Sequence, residues 1–167
     1  MVFGNGMQRV GGHLLAMDSA LGLALDIDPA TGAHRFMPGA NGVAAHGESV
    51  YISNTAQALL LRCSTVHDVT LVAENLTAGP FAAHPDGRIF LATQHGNSVL
   101  QLDPHGRRVE LAGQTQGLMG STAVALDPIP DVLYVTTTGG MRGPRDRDAQ
   151  PARLVRLRLT SGGRHDR

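Results

Sequence analysis

One short unit recurs along the chain and limits the folds open to it: a weak strand, a Gly or Asp turn, then a stronger apolar strand. Its four copies run from Asn5-Gly6-Met7 to Asp18, from Asn41-Gly42-Val43 to Asn54, from Gly79-Pro80-Phe81 to Thr93, and from Ser121-Thr122-Ala123 to Thr136. Starts at 5, 41, 79 and 121 lie 36, 38 and 42 residues apart, near the roughly 40–45 residues of a four-stranded propeller blade. Each unit also carries a third strand, at 21–27, 58–62, 98–102 or 154–159. Asp28-Pro29-Ala30-Thr31-Gly32 and Asp103-Pro104-His105-Gly106 hold the residues that pre-set turn dihedrals, so they close outer hairpins; Ser64 to Asp68 does so in the second unit. Long helical periodicity is absent, and the pattern is all-β. The expected fold is a β-propeller segment of about four four-stranded blades over residues 1–160, followed by a flexible tail at 161–167. Leu15, Ile52, Leu91 and Val135 are expected to be its buried equivalents, one per repeat.

In an antiparallel hairpin the start of the first strand and the end of the second meet at one edge. Asn5, Asn41, Gly79 and Ser121 therefore gather on one rim with Asp18-Ser19, Asn54-Thr55, Gln94-His95 and Thr137-Thr138. Polar loop rims on rigid β scaffolds are common places for ligands. The same residue types are also ordinary turn formers.

The chain of 167 residues carries 14 basic and 14 acidic side chains, none of the former a lysine. That balance offers no general attraction for nucleic acid or anionic lipid. Residues 1–141 hold 6 arginines and 11 acids (net −5), whereas 142–167 hold 8 arginines and 3 acids (net +5). Within that basic end, Arg153 to Leu159 alternates so that Val155, Leu157 and Leu159 share one face, the pattern of an outer strand. Cys63 has no partner thiol, which excludes an intrachain disulfide. Apolar runs such as 58–61 fall far short of the roughly 18 residues that span a bilayer, and no charged segment precedes an apolar one at the N-terminus. A cytoplasmic setting is the expectation. Eight histidines form no metal-binding spacing. Ser19, Ser53 and Ser121 sit in no nucleophile elbow, and the glycine-rich 113–120 lacks a phosphate-loop lysine.

The stretches 14–22, 40–43, 51–55, 85–93 and 133–140, in that order and spacing, resemble the gluconolactonase, regucalcin and senescence-marker-protein superfamily. The resemblance covers about residues 5–159. It implies a six-bladed propeller of which this chain matches a C-terminal portion, leaving open blade faces through which copies could associate. It also implies a divalent cation (Ca, Zn or Mn) at the axis, held by a glutamate, an asparagine and an aspartate, that assists hydrolysis of a small lactone or ester. Asn41 matches the asparagine. Gly79 stands where the aspartate belongs, and the glutamate would precede Met1. Asn5, Asp18, Asn54 and Gln94 are the implied contacts to a lactone or sugar-acid ligand. The alternative is a non-catalytic propeller that binds a small molecule or a protein on the same rim.

Overall fold

The computed structural model describes residues 1, 4–38, 41–64, 68–140 and 149–159. The second-unit turn at 65–67, residues 142–148 and the expected tail at 161–167 lie outside the described residues.

Among the described residues fifteen strands form four antiparallel sheets, each a simple meander. Sheet 1 contains β1 (Gly4–Val10), β2 (His13–Asp18), β3 (Leu23–Ile27) and β4 (His34–Pro38). Sheet 2 contains β5 (Val43–His46), β6 (Ser49–Asn54), β7 (Leu59–Cys63) and β8 (Val69–Ala73). In sheet 3 are β9 (Phe81–Ala83), β10 (Ile89–Thr93), β11 (Ser98–Leu102) and β12 (Arg108–Ala112). Sheet 4 shows three strands among the described residues: β13 (Ser121–Leu126), β14 (Val132–Thr137) and β15 (Arg153–Arg158). The only helical element among them is a single turn of 3-10 helix at Gln114–Gln116, which bridges sheets 3 and 4.

Turn chemistry sets the registers. Asp28 accepts from the Ala30 N–H at 2.9 Å, Gly32 adopts a φ of 74°, and the hairpin so closed pairs Ile27 with His34 and Asp26 with Arg35. Asp103 and Gly106 (φ 82°) close the matching hairpin of sheet 3.

Each sheet buries one face against the next. Leu15, Met17, Ala24 and Met37 of sheet 1 meet Val43, Val50, Ile52 and Cys63 of sheet 2. Leu60 and Ala73 of sheet 2 meet Phe81, Ile89, Leu91 and Leu102 of sheet 3. Phe90, Ala92 and Val99 of sheet 3 meet Val124, Leu133 and Val135 of sheet 4. Val155, Leu157 and Leu159 pack on that last core, as their alternation requires. There are thus three cores for four sheets, where a closed ring would need four. The inner strands touch in the series β1, β5, β9, β13, and among the described residues no core returns from sheet 4 to sheet 1. The arrangement is an open arc. Its first face is apolar, with Met7, Ala16, Leu25 and Phe36 paired in one row across sheet 1. Met7 and Phe36 are exposed there.

The sequence-based equivalence is corrected at one position. Ile52, Leu91 and Val135 each lie two residues before the polar residue that ends the strand and face the preceding sheet. Leu15 lies three before Asp18, so it faces sheet 2 instead, and Ala16 holds the equivalent place.

Candidate functional site

The four repeat starts come together through unusually close backbone contacts. The Gly6 N–H donates to the Asn41 carbonyl at 3.0 Å. A Cβ on Gly6 would lie 2.5 Å from that same oxygen, one on Gly42 would lie 2.8 Å from the Pro80 Cα, and one on Gly79 would lie 2.8 Å from the Thr122 carbonyl oxygen. Real Cβ contacts are not so short, so glycine at these positions lets adjacent strands converge. Gly79 therefore has a steric reason to be glycine that is independent of any lost carboxylate.

Hydroxyls stitch the convergence. Ser53 accepts from the Gly42 N–H at 2.8 Å and donates to the Gly79 carbonyl at 3.2 Å. Thr55 donates to the Ala78 carbonyl at 2.7 Å and accepts from Asn41 Nδ2 at 2.6 Å. This leaves Asn41 Oδ1 buried with no hydrogen-bond partner among the described residues. Nearly all buried polar atoms in folded proteins are satisfied, and an exception points to a missing donor.

The other expected site residues divide into two groups. Asp18 is fully buried, and its Oδ1 accepts from the Ala20 and Leu21 N–H groups at 3.0 and 3.1 Å, which fixes its own turn. Asn54 likewise holds its turn, with Oδ1 accepting from the Gln57 N–H at 3.1 Å and Nδ2 donating to Gln57 Oε1 at 2.7 Å. Asn5 donates to the Ser19 hydroxyl at 3.1 Å on the exposed side of the rim, and Gln94 is exposed. The structure thus ties Asn5 to the turn after β2 of its own sheet, joins the Asn41 backbone to the entry of β1, keeps Asp18 and Asn54 in turns, and leaves Gln94 exposed.

The donor set around Asn41 does not fit a tight divalent cation. The groups bonded there are the neutral Thr55 hydroxyl and backbone amides, and dications draw most of their affinity from carboxylates. Among the described residues no three His, Cys, Asp or Glu side chains converge as metal ligands. Nor is any helix among them long and apolar enough to cross a membrane.

Sequence reasoning missed a second polar cluster. The buried Asp26 carboxylate accepts from His13 Nδ1 at 2.8 Å and from Arg35 Nε at 2.7 Å. The signal was present in the hairpin, since a turn centred on Ala30 pairs position 26 with 35.

No protein-family model and no curated protein matches the sequence. Solved structures do. A luciferin-regenerating enzyme superposes with a TM-score of 0.69 at 16% identity, over 95% of this chain and 61% of that one. The fold is a β-propeller. A virginiamycin B lyase from Staphylococcus aureus follows the same propeller path (TM-score 0.67, 14% identity, 82% of this chain and 50% of that one). So does a gluconolactonase from Xanthomonas campestris (TM-score 0.63, 14% identity, 80% of this chain and 54% of that one). The propeller chain described here spans about half to three-fifths of these proteins' length.

Proposed function

We propose that the polar rim binds a small hydroxyl-bearing molecule of the sugar-acid or sugar-lactone class, with Asn41 as the central acceptor. The observation that carries this reading is Asn41 Oδ1, buried and without a partner. An amide oxygen held that way costs about 1–3 kcal/mol, and a ligand O–H admitted to it by a shift of the surrounding rim side chains would offset the cost. In this reading Asn5 and the exposed Gln94 amide bond further hydroxyls of the ligand. The geometry favours binding over turnover, because the Asp18 carboxylate is committed to two backbone amides and sits poorly as a base.

A second reading, metal-assisted lactone hydrolysis, draws support from the likeness to a gluconolactonase. In that reading the cation would need carboxylates beside Asn41, and the place of one is taken by Gly79.

Calorimetry with gluconate, and hydrolysis assays with glucono-1,5-lactone, separate the two. Binding that survives chelator and weakens about tenfold in Asn41→Ala supports the ligand-binding rim. Chelator-sensitive lactone hydrolysis supports the second reading, and gluconate affinity unchanged by Asn41→Ala refutes the first.

A further inference from the structure

The His13, Asp26 and Arg35 cluster borders an open cavity of about 170 Å³ between sheets 1 and 2. It lies at the end opposite the polar rim, where β1 finishes and β2 begins. Val10, Leu15, Met37, Val50 and the Cys63 thiol supply its apolar walls. We propose that this cavity is a second binding site, for a small monocarboxylate with a compact apolar body, its carboxylate on Arg35 and His13.

Three observations converge on that ligand class. First, the buried carboxylate of Asp26 orients the Arg35 guanidinium and the His13 ring: Arg35 reaches it through Nε at 2.7 Å and Nη2 at 2.6 Å, and His13 through Nδ1 at 2.8 Å. Both side chains are half-exposed and line the cavity, and the guanidinium keeps N–H groups that Asp26 does not use. With one carboxylate already compensating one guanidinium, an incoming monoanion gains the uncommitted edge of the fork, and His13 Nε2 adds a second donor in its imidazolium form. Second, the walls away from the His13, Asp26 and Arg35 cluster are chiefly apolar, which suits a hydrocarbon body and not a sugar. Third, the volume matches the ligand: apolar cavities of about 150 Å³ accept benzene. Few-atom ligands of this kind bind at about millimolar Kd.

Cys63 provides the readout, being the one cysteine of the chain and a wall of the cavity. Burial and the charge of the Asp68 carboxylate push the thiol above its ordinary pKa, so its conversion to a mixed disulfide in the native protein is slow and depends on entry through the cavity. Benzoate is the probe, and the rate of Cys63 modification by a small methanethiosulfonate is the measurement. The expected result is saturable protection by benzoate, with half-protection shifted about tenfold higher in Arg35→Gln and also in His13→Gln. Arg156→Gln, on sheet 4, should leave it unchanged. Should Arg35→Gln fail to fold with Asp26 left uncompensated, Arg35→Lys keeps the charge, loses the fork and should still weaken protection. Absence of protection in the native protein would overturn the proposal. Equal protection by toluene, or protection indifferent to all three cavity variants, would overturn the carboxylate assignment.

Discussion

Replacing Gly42 with alanine tests whether the close strand approach at the rim is a real constraint. The new Cβ would sit 2.8 Å from the Pro80 Cα, 2.9 Å from the Gly79 carbonyl oxygen and 3.0 Å from Phe81 Cδ1. Carbon atoms in comfortable contact stand about 3.5–4.0 Å apart, so the overlap with Pro80 is roughly 0.7–1.2 Å. Two of the three atoms are backbone, and the strand entry they belong to is tied back by the Gly79 N–H to the Ala92 carbonyl at 3.0 Å. Relief must therefore come from moving sheet 3 against sheet 2, where Phe81 and Leu91 are packed. Overpacking of this kind costs about 1–3 kcal/mol, or about 2–4 °C in Tm per kcal/mol for a chain of this size. Gly12→Ala is the control, because nothing lies within 4 Å of its Cβ and its φ is not positive. That variant should be neutral or gain up to about 1 kcal/mol through the unfolded state. Urea titration at unchanged m gives both numbers. If Gly42→Ala is no less stable than Gly12→Ala, the strands do not converge as described.

Ile52→Ala, at a site with no exposure in the core between sheets 1 and 2, should lose about 2–5 kcal/mol in the same titration. Asp18→Ala should cost about 1–3 kcal/mol by stranding the Ala20 and Leu21 N–H groups, with gluconate affinity altered far less than by Asn41→Ala. Acid should destabilise the fold. The Ala30 N–H and Thr31 hydroxyl hold the Asp28 carboxyl below its ordinary pKa, and the Arg107 side chain and backbone N–H do so for Asp103. Folded values below unfolded ones give stability that is complete above about pH 4 and is lost as pH falls through the folded values. A Tm series from pH 7 to pH 2 should show this fall, and Asp28→Asn with Asp103→Asn should flatten it.

The architecture was legible because strand periodicity and turn chemistry are local. Repeat starts at Asn5, Asn41, Gly79 and Ser121 do occupy one rim, and the Arg153–Arg158 strand turns its apolar side inward. Leu15 misled because strand faces alternate with period two, so a slip of one residue exchanges core for opposite face. The reason for Gly6, Gly42 and Gly79 was out of reach, since no sequence pattern reports how near one backbone comes to another. Gly79 read as an absent acid, whereas the neighbouring Thr122 carbonyl leaves no room for any side chain. Asn41 was identifiable as a repeat start, but its unpaired oxygen depends on Thr55 taking up the amide nitrogen. His13, Asp26 and Arg35 were scattered in sequence, and only the hairpin register places them together.

The open arc has a mechanical consequence. Among the described residues each sheet shares a core only with its sequence neighbours, so cohesion passes along the arc like coupling along a row of linked units. Sheets 2 and 3 are clamped on both faces, while sheets 1 and 4 are held on one. Slow amide exchange should accordingly concentrate in β6 and β10, with opening that starts at the two ends and travels inward. Asn41 enters the doubly clamped sheet 2, and the final strand lies on the singly held sheet 4. A pull on the last strand would peel β15 from β14 before the entry to β5 shifted.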